Sequence, residues 1–306
     1  MATAREIRRR IRSVKNVAQI TRALQLVASS KLRRTQARVL SARPYADELQ
    51  RVLIHLSHAS ADDDEPSPYF YSDREDADLR LLQQRAIKRV GIVVVSPDGT
   101  LAGALPGNVN RKALAFAQEQ KTAHGLTDAD VRFVAVGKRG RDFLVRNRLN
   151  VIADFTGLGD MPKSSDVRAI ARVISDAYLS GEVDSWHLIY PKFVSSLIQT
   201  PTEIQLLPVQ PPEAAADAEV VKHDYIFEPD AGTIYAALLP RYVETLIYQP
   251  LLELVASFYA AQFVAMKSAT DNANDLAADL NLTYNKARQA AITTQILEVV
   301  SGAGDQ

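Results

Sequence analysis

The sequence predicts a mixed α/β protein in which a long antiparallel coiled coil joins the two ends of the chain and a compact α/β domain lies between them. The first forty-odd and the last fifty-odd residues both have nearly uninterrupted helical patterns, and no glycine occurs before Gly91. The central part alternates short β-branched runs with helical segments. Two long terminal helices can bury their apolar faces by packing on each other, which gives the coiled coil.

The N-terminal helix is predicted from about Ala4 to His58, within a first region of residues 1–58. Thr3 and Glu6 have the spacing of a capping box. Pro44 is the only early helix breaker, and we expect it to kink the helix. At ~1.5 Å per residue the helix would be roughly 80 Å long. Its predicted buried seam follows steps of three and four residues: Ile7, Ile11, Val14, Ala18, Thr21, Leu24, Ala28 and Leu32.

Residues 59–87 are predicted to be an acidic loop or hinge, and a solvated loop without a role is the alternative. Residues 88–223 are predicted to form a small, largely parallel, Rossmann-like α/β domain that ends in a Pro/Ala-rich connector at 208–223. The predicted strands are Val90–Val95, Val131–Val136, Val151–Phe155, Trp186–Tyr190 and Glu203–Leu207. The predicted helices are Val109–Gln120, Arg139–Arg146 and Ser164–Ser180.

The last region, residues 224–306, is predicted to supply the C-terminal coiled-coil helix that pairs with residues 1–58. The helical pattern begins near Gly232, and Pro240 and Pro250 are expected to divide it into an entry segment and a long helix that ends near Val300. Many residues of its predicted seam are small, which allows a partner helix to approach closely. That seam comprises Phe258, Ala261, Ala265, Ala269, Asn272, Leu276, Leu280, Thr283 and Ala287.

Charge is strongly segregated although 36 basic and 36 acidic residues cancel. Residues 1–43 contain a single acid, Glu6, among many arginines and lysines, whereas residues 62–78 are acidic. This asymmetry predicts a basic surface that meets an acidic or polyanionic partner. The chain has no cysteine, which excludes disulfides and thiol chemistry. No apolar run approaches the ~20 residues that cross a bilayer, and a mitochondrial transit peptide is the alternative interpretation of the basic N-terminus.

Motifs for chemistry are scarce, so we predict no catalytic residues, no metal site and no cofactor. A phosphate-binding loop is not found: near Gly137 the first glycine of that motif is replaced by Arg132. His55 and His58 share a helix face without an evident third ligand. The segment 96–103 follows the first predicted strand, where α/β domains often bind ligands, but it lacks the dinucleotide-binding glycine spacing. A plain strand-to-helix turn is the alternative for that segment.

Two long blocks near opposite ends of the chain resemble the gamma subunit of F-type ATP synthases. The C-terminal block reads MKSATDNA at 266–273 and LTYNKARQAAITTQILEVVSGA at 282–303. The N-terminal block reads REIRRRIRSV at 5–14, QITRALQLVASSKL at 19–32 and SARPY at 41–45, and RYVE at 241–244 also agrees. The resemblance covers essentially the whole chain in the same order.

The resemblance implies a non-catalytic rotor of the central stalk. In that family the terminal helices form a coiled coil inside a hexamer of alpha and beta subunits, and the α/β domain joins the epsilon subunit and the c-ring. Proton flow turns ring and shaft together, and the catalytic beta subunits change conformation in turn. The expected chain is present in one copy per complex, binds no nucleic acid, and lies peripherally on the cytoplasmic face of a bacterial plasma membrane, with mitochondrial or thylakoid membranes as alternatives.

Candidate site residues also follow from the resemblance. Arg288, Gln289 and Thr293 match positions that touch a mobile catch loop of beta, and Gln295 stands in the same contact where the family usually has glutamate. Leu24, expected opposite them on the N-terminal helix, matches a coupling-sensitive position, although a plain seam residue is an equal interpretation. The segment 98–106 also departs from the family's Asp-Arg-Gly-Leu-Cys-Gly-Gly block.

Two other classes of function stay open at this stage. A coiled-coil nucleic-acid-binding or adaptor protein would use the basic N-terminal helix, and its DNA affinity would fall steeply with salt. A small-ligand enzyme would place a polar constellation at the strand ends of the α/β domain, and the sequence offers none that is evident.

Overall fold

The computed structural model describes residues 4–62, 79–210 and 231–303. The chain forms two compact units. One, the helix-pair unit, comprises Met1–Lys31 and Gln262–Gln306, and the other, the α/β unit, comprises Leu32–Ala261. Most of the acidic segment, at 63–78, and the connector at 211–223 lie outside the described residues.

The α/β unit is built on a five-stranded, mostly parallel sheet of order β3-β2-β1-β4-β5, in which only β5 is antiparallel to its neighbour. The strands are β1 (Val90–Val95), β2 (Val131–Val136), β3 (Val151–Phe155), β4 (Ser185–Phe193) and β5 (Gln199–Leu207). The connecting helices are α2 (Leu105–His124), α3 (Lys138–Arg146) and α4 (Ser164–Leu179), with short 3-10 helices at Leu79–Leu82 and Asp128–Asp130. The predicted Rossmann-like architecture is therefore confirmed, and the first three strands have the predicted bounds.

Helices cover both faces of the sheet, which is why β1 and most of β2 are buried on both sides. On one face Val90, Ile92 and Val94 pack with α2 and α3. On the other face Val93 and Val95 join a larger cluster that includes α4 and parts of both terminal helices. Successive side chains of β1 therefore point to opposite faces, and both faces of the sheet contribute to the core.

The terminal helices are α1 (Ala4–Asp62) and α5 (Ala231–Ala303), and the contacts of Thr21 with Thr270 and of Val39 with Leu252 show that they run antiparallel. In the α/β unit Val39 of α1 packs with Leu252 and Ala256 of α5. The prediction that Pro240 and Pro250 divide the C-terminal helix is wrong, because both lie inside the continuous 73-residue α5. Pro44 lies inside α1, which continues through it, and the kink expected there stays a prediction. Each proline removes one backbone donor. Around Pro240 and Pro250 the buried residues Leu239, Tyr242 and Leu251 pack in the core and hold the helix together.

The helix-pair unit buries a narrow seam in α1, as predicted. Ile7, Ile11, Ala18, Thr21 and Ala28 are buried, whereas Val14 and Leu24 are half-buried. The predicted seam of α5 is wrong by one position over its middle part. Asn272, Leu276 and Thr283 are exposed, and the buried residues are Met266, Thr270, Ala273 and Ala277. The predicted and the observed seam positions of α5 are neighbouring rows on the helix surface, and both rows are rich in alanine. The sequence pattern therefore does not show which row is buried.

Candidate partner-binding surface of the helix-pair unit

A pair of buried threonines fixes the register of the two helices. The hydroxyls of Thr21 and Thr270 lie 2.7 Å apart, and each side chain also reaches a carbonyl of its own helix, at Val17 and Ala18 for Thr21 and at Met266 for Thr270. Both polar groups are therefore satisfied although water is excluded. A hydroxyl pair is compatible with only one alignment of the seam, so it specifies the register.

Counting along the antiparallel helices from this pair places Leu24 near Lys267 and Ala4 near Ala287. The expectation that Leu24 lies opposite Arg288 is therefore wrong. Between positions 267 and 288 a helix rises about 30 Å. Leu24 is a half-buried residue beside the seam, and the structure does not bring it together with the other candidate residues.

The last turns of α5 continue past the described part of α1. Every described side chain from Arg288 to Leu297 is exposed. The four candidate residues Arg288, Gln289, Thr293 and Gln295 all lie in this stretch. The Thr293 hydroxyl donates to the Gln289 carbonyl at 3.0 Å, which leaves its oxygen able to accept a further bond.

The four candidates share one side of the exposed helix. At ~100° per residue they fall within an arc of about 160°. Ile292 and Ile296, which are 46% and 57% exposed, lie within the same arc. A guanidinium, two amides and a hydroxyl around two isoleucines make a surface that can bind both polar and apolar groups of a partner. We call residues 288–296 on this arc the α5 patch.

The paired part of α1 exposes apolar side chains that were not predicted to form a surface, beside the basic residues that were. Val17, Ile20, Leu26 and Val27 of α1 are 47–66% exposed. These four apolar residues lie outside the predicted seam. Their position off the seam is visible in the sequence and could have indicated an exposed apolar surface. Exposed basic residues flank them: Arg5, Arg8, Arg9, Arg10, Arg12, Lys15 and Arg22. So much exposed apolar surface on a helix pair indicates a binding partner.

The segment 96–103 in the α/β unit contains a network of hydrogen bonds to backbone amides. The Asp98 carboxylate accepts from the amides of Lys138 and Gly157 at 2.7 and 3.0 Å. The Ser96 hydroxyl accepts from the Gly140 amide. Asp98 therefore occupies the N-terminus of α3, where α/β folds often bind an anion. A cavity of about 270 Å³ adjoins this network and is lined by residues 96–99 and Gly137, by the loop 158–162 and by α5 from Leu251 to Tyr259.

The described residues contain no group of three His, Cys, Asp or Glu side chains arranged to hold a metal. The side chains of His55 and His58 lie outside that part of the chain. Within the same described ranges, no helix combines the length and hydrophobicity that crossing a membrane requires.

Comparison with known proteins covers nearly the full chain. The profile of a family described as ATP synthase matches residues 3–304. A relative named ATP synthase gamma chain from Roseiflexus castenholzii is 45% identical over 305 residues, which is 99% of this chain and 98% of the relative. A gamma chain from Desulfitobacterium hafniense is 44% identical over 303 residues and 99% of both chains.

The fold has solved counterparts as well. A chain from the rotor of the Euglena gracilis mitochondrial ATP synthase superposes with a TM-score of 0.59 at 16% identity, covering 94% of this chain and 98% of that one. None of these matches supports the nucleic-acid-binding or adaptor alternative. The matched sequence, from the basic start of α1 to the exposed end of α5, means that this chain belongs to the ATP synthase gamma chain family.

Proposed function

We propose that this chain is the central-stalk rotor subunit of a proton-translocating F-type ATP synthase. It transmits rotation of the membrane c-ring to the beta subunits, which pass through their catalytic conformations in turn. The chain carries no catalytic residues, and ATP is made or hydrolysed on beta. One copy serves each complex and contacts the alpha and beta subunits, the epsilon subunit and the c-ring.

Family membership over 99% of the chain is the observation that carries this proposal, and the physical properties of the helix-pair unit support it. A shaft must resist twisting, and two helices locked in register by a buried seam are stiffer than one helix or a loop. The exposed apolar side chains of α1 need an enclosing partner. An enclosing hexamer of alpha and beta subunits meets that need.

The α5 patch suits a contact that forms and breaks in every turn. A ligand shifts a conformational equilibrium only if it binds the states unequally, so the rotor must bind one beta conformer better than the others. A charge-assisted hydrogen bond contributes about 1.5–3 kcal/mol. A few such bonds from Arg288 and Gln289 are enough to favour one orientation of the rotor relative to beta without preventing further rotation.

The Gln295 side chain makes this contact less acidic than the family's usual glutamate would. The exposed neighbours Arg288 and Gln289 then carry most of the polar recognition on the α5 patch. Leu24, about 30 Å away along the helices, contributes to the shaft instead, by packing beside the seam near Lys267.

The chain is expected to reach the membrane only through its partners. It lies on the cytoplasmic face of a bacterial plasma membrane, as part of a complex whose c-ring spans the bilayer. The bacterial gamma chains that it matches support this location.

Reconstitution with alpha and beta subunits tests the proposal directly. The chain should copurify with them in one copy per complex, and the immobilised complex should rotate when ATP is added. A chain that fails to assemble, or a complex that hydrolyses ATP without rotation, would refute the rotor role.

The double variant Arg288→Ala, Gln289→Ala tests the α5 patch. Because both side chains are exposed, we expect assembly to stay intact and coupled turnover to fall several-fold. Lys267→Ala, exposed on the same helix but far from the patch, is the matched control and should behave like the unmodified chain. Unchanged turnover in the double variant would remove these residues from the mechanism.

A further inference from the structure

Helix α5 is bonded to the end of β4 over its last turns inside the α/β unit. The buried Glu253 carboxylate accepts from the Phe193 amide at 3.2 Å and from the Gln249 side-chain amide at 3.4 Å. One turn further on, the fully buried Ser257 hydroxyl donates to the Pro191 carbonyl at 2.8 Å. Because these polar groups are buried, breaking a contact between them leaves a group without a partner, which costs free energy.

Two loops at the same edge of the sheet also contact α5. The Phe258 ring packs against the loop after β1 so closely that a Cβ on Gly99 would lie 2.6 Å from its Cζ atom. The buried Tyr259 hydroxyl donates to the Asp160 carboxylate in the loop after β3. Since β1, β3 and β4 all run in the same direction, three segments from one edge of the sheet hold two turns of one helix.

These contacts reach α5 from different sides. Glu253 and Ser257 are four residues apart and share one side of the helix. At ~100° per residue, Phe258 and Tyr259 point about 100° and 200° further round than Ser257. We call these four residues, with the segments that they contact, the α5 collar. A helix held from several sides cannot turn about its axis without breaking one of these contacts.

The side of α5 that the collar leaves open packs on α1. Leu252 and Ala256 form a small apolar cluster with Val39. Apolar packing is non-directional, whereas a hydrogen bond tolerates only a narrow range of distances and angles. Turning α5 by about 20° would move side-chain atoms that lie ~5–6 Å from its axis by about 2 Å, which is enough to break the hydrogen bonds of the collar. Small rotations of the helix are therefore opposed chiefly by those bonds.

The collar lies where α5 leaves the α/β unit. That unit ends at Ala261, and from Gln262 onward the same continuous helix belongs to the helix-pair unit. Torque that α5 carries from one unit to the other must pass between the helix and the α/β unit at or before residue 261. The collar is at the end of that path.

We propose that Glu253, Ser257 and Tyr259 are positioning residues for torque transmission, because the α5 collar fixes the angle of α5 relative to the α/β unit. This inference rests on the proposed rotor function. It assigns the torsional stiffness at this point of the chain to three hydrogen-bonding side chains as well as to the apolar core.

A complex assembled with alpha and beta subunits tests the collar. The absence of native cysteine allows a bead to be attached through one introduced thiol, Val145→Cys on α3, at a position that is 59% exposed. With the hexamer immobilised and ATP absent, the angular variance of the bead measures the torsional compliance between the hexamer and the α/β unit. Addition of ATP then gives the rotation and the rate of hydrolysis.

The test variant is Ser257→Ala with Tyr259→Phe, which removes two hydroxyls and keeps most of the apolar packing. The matched control is Ile92→Val with Phe133→Leu. These two buried residues belong to the cluster on the opposite face of the sheet, so the control also lowers stability but leaves the collar intact. Urea unfolding of each full chain checks that both variants fold and are destabilised to a similar extent.

The angular variance should at least double in the test variant and stay unchanged in the control, while both complexes hydrolyse ATP at the rate of the unmodified complex. An unchanged variance in the test variant, or an equal increase in the control, would overturn the collar. Failure of the unmodified complex to rotate would instead refute the rotor function, so the two failures are distinguishable.

The carboxylate of the collar has its own pair of variants. Glu253→Ala should also raise the angular variance, whereas Glu253→Gln, which keeps an oxygen that can accept from the Phe193 amide, should raise it less. Equal increases in the two variants would remove Glu253 from the collar.

Discussion

Gly137 has almost no room for a side chain. It lies between β2 and α3 with φ of +94°, a conformation that side chains rarely adopt. A Cβ at this position would lie 1.8 Å from the carbonyl oxygen of Ser96. The loop after β1 and the start of α3 can approach so closely only because residue 137 has no side chain.

Gly137→Ala should therefore destabilise the α/β unit by about 3 kcal/mol or more, since a backbone clash adds to the cost of a positive φ. Gly125→Ala is the matched control, with φ of +66° and nothing within 4 Å of the added Cβ. It should cost only about 1 kcal/mol. Urea unfolding measures both, and equal losses would contradict a steric role for residue 137.

Tyr190 of β4 makes the α/β unit sensitive to alkaline pH. Burial, together with the negative charge of nearby Glu253, raises the pKa of Tyr190 to about 12. The ordinary tyrosine pKa is near 10, so the unfolded chain loses this proton first. The stability that Tyr190 contributes is complete below pH 10 and is lost as the pH rises through 12.

Tyr190→Phe should remove about 2 kcal/mol of the stability loss between pH 10 and 12, because phenylalanine has no proton to lose. The measurement is the urea midpoint as a function of pH for variant and unmodified chain. Tyr45→Phe, at a position that is 61% exposed, controls for loss of a hydroxyl. Parallel pH profiles for Tyr190→Phe and the unmodified chain would contradict this account.

At the scale of the element, α5 changes its surroundings along its length. Around Leu251 and Ala260 it is buried in the α/β unit, at Thr270 it shares a seam with α1, and from Arg288 onward its described side chains are exposed. The last turns thus contribute little to stability. Their sequence is free to serve binding.

A chain that ends at Ala287 tests this division. It loses only residues whose described side chains are exposed, so its free energy of unfolding should change by less than about 0.5 kcal/mol. A chain that ends at Thr270 also loses the buried Ala273 and Ala277 and should unfold at lower urea concentration. A large loss of unfolding free energy in the chain that ends at Ala287 would contradict this division, because it would show that the last turns of α5 pack on other residues.

The sequence predicts elements well where one physical signal dominates. The runs at Val90–Val95 and Val131–Val136 are short and β-branched, so their strand bounds are correct. The α5 seam is misplaced because alanines occupy neighbouring stripes, and only the Thr21–Thr270 contact separates them. Pro240 and Pro250 mislead because the helix tolerates a proline where packing compensates for the lost hydrogen bond.

At the scale of the whole molecule, the terminal blocks of sequence reveal the family, while contacts between distant segments cannot be read from the sequence. Glu253 is an example: nothing around it in the sequence indicates that its carboxylate meets the Phe193 amide, 60 positions away. The position of Leu24 relative to Arg288 likewise depends on a register that only the folded pair defines. The candidate residues of the α5 patch come from family resemblance, because no local pattern around Arg288 marks a binding surface.

The end of α5 beyond Ala287 has a mechanical consequence. Two helices bound side by side resist bending far more than one, so compliance should rise where α5 continues past the described part of α1. A load applied at Arg288 would flex this single-helix extension first.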